Sequence, residues 1–146
     1  MKAFWMFRTI VVVSTLAFLP IAHGQTTSHT LSVNVPFGFE LGNQHFAPGV
    51  YTVKTPLYNV VELQGGSNVG MIMTVPGQGP KATKTSKIVF DRYGEHYFLR
   101  QIWFNAEETS YLECPESKAE KQAKTGDLAS NRKHASNVEL AMLRLP

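Results

Sequence analysis

From Leu31 to Leu41 the chain alternates without a break: Leu31, Val33, Val35, Phe37, Phe39 and Leu41 on one side, Ser32, Asn34, Pro36, Gly38 and Glu40 on the other. A period of two puts the apolar set on one face of a pleated strand, and that face is buried only if a second layer covers it. This run commits the chain to layered β-structure. Pro36 has no N–H to give a ladder, so the strand lies at a sheet edge or bends at residues 36–38.

The same texture continues for about eighty residues. Pro48-Gly49 fits the centre of a type II turn, and residues 50–54 follow as a strand with Tyr51 and Val53 on one face and Pro56 as its breaker. Residues 58–64 read as a further strand, and Gly65-Gly66-Ser67-Asn68 is a hairpin connection to residues 69–75, where Val69, Met71, Met73 and Val75 share a face. Residues 76–86, with Pro76, Gly77, Gly79 and Pro80, read as a flexible loop. Residues 87–93 and 95–104 form a hairpin about Tyr93-Gly94. The second strand of that hairpin carries apolar residues on both faces, as a central strand covered on both sides requires. Its alternation puts either Phe98 and Ile102, or Leu99 and Trp103, into the main core. Residues 111–114 make a short additional strand.

After Pro115 the composition changes. Pro115 at the start, Glu116 early, Lys121 and Lys124 late and Gly126 past the end describe a short surface helix near residues 115–125. Glu120 and Lys124 are spaced for an i,i+4 pair, and Ala119 and Ala123 are its only apolar stripe. Residues 127–137 form a polar connector. Alternation of Val138, Leu140 and Met142 favours a closing strand, although Ser136 and Glu139 also have the spacing of a capping box. The expected fold is mainly β: a small antiparallel barrel or sandwich of about seven strands with one short C-terminal helix.

The first 24 residues read as an export signal. Lys2 and Arg8 lie in an acid-free start, an apolar stretch of 13 residues (9–21) follows, and Ala22-His23-Gly24 offers small residues before Gln25. That stretch is too short for a membrane span, which needs about 20 residues. The expected organisation is a signal peptide over residues 1–24 and a single β-rich domain over 25–146. Removing Lys2 and Arg8 lowers the formal charge from +3 to +1, so the mature chain has almost no net field to attract nucleic acid. No transmembrane segment is expected beyond the signal, and the expected location is secreted or periplasmic.

Several fragments together resemble a family of small exported bacterial β-rich proteins: Val33-Asn34-Val35-Pro36-Phe37-Gly38-Phe39, Pro48-Gly49-Val50-Tyr51-Thr52-Val53, Phe90-x-Arg92-Tyr93-Gly94, Tyr97-Phe98-Leu99 with Gln101-Ile102-Trp103, and Ser117-Lys118-Ala119-Glu120-Lys121. The resemblance spans roughly residues 30–126. It implies a signal peptide ahead of a β-rich domain and carries no catalytic residue with it.

The residues that carry chemistry are scattered. His29, His45, His96 and His134 form no HxH or HExxH pair, so no metal site is expected. There is no G-x-S-x-G elbow. Cys114 is the only cysteine, which rules out an internal disulfide; Glu113 and Glu116 beside it disfavour a thiolate, so a partly buried, inert thiol is expected. Asp91, Glu95 and His96 cluster at one turn, where pairing with Arg92 is the simpler use of the acids. Gly77-Gln78-Gly79-Pro80-Lys81 only faintly resembles a phosphate loop, and Pro80 removes an N–H such a cradle uses. No cofactor is expected.

What remains is binding. The first expectation is a non-enzymatic exported domain with a binding or scaffolding role in the envelope, its partner an envelope protein, a polysaccharide or an apolar ligand. The second is a small barrel holding an apolar molecule lined by Tyr97, Trp103, Met71 and Met73, with Phe98 beside them. A small secreted hydrolase is the third.

Overall fold

The computed structural model describes residues 30–105, 107–129 and 136–145. The proposed signal peptide and the mature start at Gln25 lie outside them.

Twelve short strands and one helix occur among the described residues. The first sheet is antiparallel and built from β1 (Thr30–Val35), β4 (Gly49–Leu57), β5 (Val60–Gly65), β6 (Asn68–Met73) and β12 (Leu143–Arg144), in the order β12-β1-β4-β5-β6. The second contains β7 (Val75–Gln78), β8 (Lys87–Tyr93), β9 (His96–Trp103), β10 (Ser110–Glu113) and β11 (Ser136–Ala141), in the order β11-β8-β9-β10-β7. The hairpin of β2 (Phe39–Leu41) and β3 (Gln44–Phe46) joins the second sheet beside β9. Helix α1 (Lys118–Ala129) packs on β8. The sheets do not close into a barrel; the molecule is a sandwich.

Three chain corners pass between the layers. The run from Leu31 to Leu41 bends at residues 36–38, so β1 lies in the first sheet and β2 in the second. Thr74 carries the chain from β6 to β7; it is buried, and both its N–H and its hydroxyl donate to the Asn59 carbonyl, at 2.7 and 2.9 Å. Buried Met142 carries it from β11 to β12. Residues 136–145 are therefore strand, bent across a corner. Strands that change sheet close the two long sides of the sandwich.

Between the layers lies one core. The first sheet contributes Leu31, Val33, Val35, Tyr51, Val53, Val61 and Leu63, and the second Phe39, Leu41, Phe46, Ile88, Phe90, Leu99 and Ile102. Phe39 is its hub, with ring centroids 5.2–5.3 Å from Phe46, Tyr51 and Phe90.

The β8–β9 pairing corrects the strict alternation expected of β9. Val89 pairs with Gln101, but Phe90 pairs with Leu99, so Arg100 is an extra residue in a β-bulge. The bulge flips the phase. Leu99 and Ile102, three apart, both enter the core, while Phe98 and Trp103 are buried outside it. Neither expected pair, Phe98 with Ile102 or Leu99 with Trp103, shares the core.

Three further expectations change. Pro56 lies within β4, beyond its pairing with β1, where a register shift between Lys54 and Leu57 absorbs the missing N–H. Residues 76–78, expected in a loop, belong instead with Val75 to edge strand β7 on β10, a position that tolerates Pro76. Gly126 falls inside α1 rather than after it.

Candidate functional site

At one end of the sandwich the layers part and leave a cleft of about 470 Å³. Its first wall is the end of β4 and the turn after it: Thr55, Pro56, Leu57 and Tyr58. The opposite wall comes from Pro76 of β7 and from Tyr111 and Leu112 of β10. Ile102, fully buried, is the floor, and Phe104 and Asn105 complete the lining with Ser110.

Local chemistry explains why the space stays open. Pro56 lies beyond the pairing of β4 with β1, and Pro76 lies on edge strand β7, so neither offers an N–H through which a further strand could extend its wall across the gap. Leu57 and Tyr58 are 66% and 85% exposed, although Val61, three residues on, is fully buried in the core. Two large apolar side chains left in water at a hairpin turn are unusual for a turn, whose common residues are Gly, Pro, Asn, Asp and Ser. Among the described residues no charged side chain lines the cleft. Its polar groups are the Thr55, Tyr58, Ser110 and Tyr111 hydroxyls and the Asn105 amide, and Ser110 donates its hydroxyl to Glu108 Oε2 at 2.8 Å. Volume, a largely apolar lining and a few polar groups match the usual character of small-molecule sites.

The four residues expected to line a ligand cavity are not brought together. Met71 and Met73 project from the outer face of the first sheet, 60% and 68% exposed, because the inner face of β6 is taken by Gly70 and Ile72. A Cβ on Gly70 would lie 2.6 Å from the Phe46 ring, so only glycine lets the β2–β3 hairpin close there. Tyr97 stacks on Phe37 at 4.0 Å, at the margin of the core, with the Arg92 guanidinium 5.4 Å from its ring. Trp103 lies outside the core against Tyr111 at 4.7 Å, its indole N–H donating to Gln101. Alternation identified the shared faces but not which face turned inward.

Trp103 also accounts for the glycines once read as a faint phosphate loop. A Cβ on Gly79 would meet the indole at 2.4 Å, and one on Gly77 would meet the Tyr111 ring at 2.5 Å. The Gly77-Gln78-Gly79 spacing seats an edge strand on two aromatic rings.

A second cluster lies on the outer face of the second sheet, beneath α1. Arg100, placed there by the bulge, donates to Glu113 at 2.7 Å and to the Cys114 carbonyl at 3.1 Å, and lies 3.8 Å from Asp91. Ser117 caps the helix by accepting from the Glu120 N–H at 3.1 Å. Lys124 pairs with Glu116 at 3.1 Å, not with Glu120 as the helix spacing suggested. Glu120 instead turns inward, only 2% exposed, and its Oε1 has no hydrogen-bond partner. Burial raises the Glu120 carboxyl pKa against the pull of Arg100, and Asp91 and Glu116 raise it further. Burial raises Asp91 as well, partly offset by Arg100.

The remaining candidates resolve simply. Cys114 is buried, and loss of solvent pushes its thiol up to about 12, so it stays protonated and weakly nucleophilic at neutral pH. Glu95 pairs with Arg92 at 3.1 Å, while Asp91 faces Arg100, so the turn acids divide between two arginines. A hollow of about 450 Å³ between that turn and α1 is lined by Tyr93, His96 and Gly126 among others; burial holds the Tyr93 hydroxyl up at about 12. Among the described residues no group of three His, Cys, Asp or Glu is arranged to hold a metal ion, and no helix is long and apolar enough to cross a membrane.

Sequence reasoning missed every residue of the cleft. A legible signal existed in Pro56-Leu57-Tyr58-Asn59: an apolar pair in a turn, directly after a proline that ends a ladder. Compared with protein-family models, curated proteins and solved structures, the chain shows no match.

Proposed function

We propose that this protein is an exported, non-enzymatic binding module of the cell envelope, and that its binding surface is the apolar cleft at the open end of the sandwich. One observation carries the reading: a cleft of about 470 Å³ framed by Tyr58, Phe104 and Tyr111, with a fully buried floor at Ile102. Such a space gains from any apolar molecule that displaces its water, at roughly 25 cal/mol per Å² of apolar surface removed from solvent. The lysine- and arginine-bearing start, the apolar stretch of residues 9–21 and the small residues before Gln25 support export. The family resemblance supports the same reading.

Native mass spectrometry of the protein purified from the envelope tests both halves. Export predicts a mass beginning at Gln25, and binding predicts a co-purifying small molecule that Leu112→Trp, which fills the cleft, displaces. Retention of Met1 would overturn export. A ligand carried equally by wild type and Leu112→Trp would place the binding surface elsewhere.

A further inference from the structure

The first sheet ends at β6, and among the described residues no strand pairs with its far side. Edges of this kind are ordinarily blunted by charge, proline, a bulge or shortness. The ends at β7, β11 and β12 follow that rule: β7 carries Pro76, β11 carries Glu139, and β12 is two residues long with Arg144. Strand β6 has none of these devices. From Leu63 to Pro80 the chain has no charged residue, and β6 pairs with β5 without a register shift. Its hairpin turns on Gly66-Ser67, with Gly66 at φ +55°, so Gly65 and Asn68 exchange the closing pair of hydrogen bonds. Alternation then aims the N–H and C=O of Gly70 and Ile72 at β5, and those of Val69, Met71 and Met73 outward. The same three residues expose their side chains on the outer face of the sheet.

We propose that β6 is a dimerisation edge, and that its partner is β6 of a second copy of this chain, antiparallel about a two-fold axis at Met71. The strand is complementary to itself. Met71 faces Met71, Val69 faces Met73, and each outward N–H meets an outward C=O, joining two five-stranded sheets into one. On the inner face Gly70, already roofed by the Phe46 ring, comes opposite Ile72, so no two bulky side chains collide. Self-pairing also sets no like charges together. The nearest acid on that face, Glu62 beside Met71, lies about 14 Å from its copy, three strand spacings away. That exceeds the screening length of about 8 Å at physiological salt. The proposal is independent of the cleft.

Sedimentation of the purified protein over a concentration series tests this, with Met71→Lys, Met71→Glu and an equal mixture of the two. The wild type is expected to dimerise. Each variant should weaken the dimer roughly a hundredfold or more, because the axis sets two like charges face to face. Each should keep the wild-type circular dichroism spectrum, since Met71 is exposed. The mixture should form dimers again, one copy of each by native mass spectrometry. A wild type still monomeric at about 1 mM would leave the edge to a strand of another protein or to none, and would overturn the proposal. So would a dimer that both variants retain, or variants that lose the dimer and stay monomeric when mixed.

Discussion

On its inner face the second sheet presents Phe90, Leu99 and Ile102 to a core of aliphatic and aromatic side chains; on its outer face, one bulged residue away, it presents Arg100 to Asp91 and Glu113 beneath α1. Both faces are covered, but they are stabilised differently. The inner face gains from area removed from water and from close packing, neither of which depends on pH. The outer face is a balance of charges in partial burial, where one guanidinium answers several carboxylates and Glu120 is shut in with an unpartnered oxygen. Two faces of one strand thus teach that burial alone does not predict how firmly a layer is held. The sandwich stands on its inner face, and α1 is the cover most easily disturbed.

The comparison breaks most visibly in the core. Phe90→Ala removes a fully buried ring from the Phe37–Phe39 contacts and is expected to destabilise by about 3–5 kcal/mol in chemical denaturation. Arg100→Met should cost about 2–3 kcal/mol at pH 7, because it strands the Asp91 and Glu113 carboxylates, and the loss should shrink as pH falls and the acids protonate. A loss equal at pH 4 and pH 7 would show that Arg100 acts through packing.

Glu120→Gln should act in the opposite direction. A carboxyl whose folded pKa is raised contributes stability that is fully present below its unfolded value, about 4.3, and is lost as pH rises through the folded value. Removing that charge should therefore stabilise the protein by about 1 kcal/mol at pH 7 and have little effect near pH 4. Amide exchange within α1, corrected for intrinsic rates, should slow in the variant at pH 7. Glu116, whose pKa the Lys124 pair lowers, opposes this trend, giving stability that is lost in acid as pH falls through its folded value. Smallest of all, Glu95→Gln breaks a pair with Glu95 89% exposed and should change the denaturation midpoint hardly at all.

The inner face was the legible one. The alternation at Leu31–Leu41, the bend at Pro36, the hairpins at Gly66 and Gly94 (φ of +55° and +61°) and the closing strand all follow from residue spacing, because a half-buried strand writes its burial into a period of two. The bulge at Arg100 was not legible. A single unpaired residue leaves no local composition signal, yet it exchanged the faces of Phe98, Leu99, Ile102 and Trp103. The inward turn of Glu120 was hidden for a related reason, since helix spacing offered it Lys124 while the sheet beneath supplied Arg100. The cleft was illegible because its walls come from strand ends some fifty residues apart, which meet only through the pairing of β7 with β10 and β4 with β5.

The central claim is that binding takes place at this open end and not on the exposed apolar strip of the first sheet. Amide chemical-shift mapping during titration with 1-octanol tests it most directly. The account predicts shifts concentrated at Leu57 and Tyr58, Ile102 to Asn105 and Ser110 to Leu112, the residues that line the cleft. Shifts centred instead on Val69, Met71 and Met73, with the cleft unmoved, would contradict it.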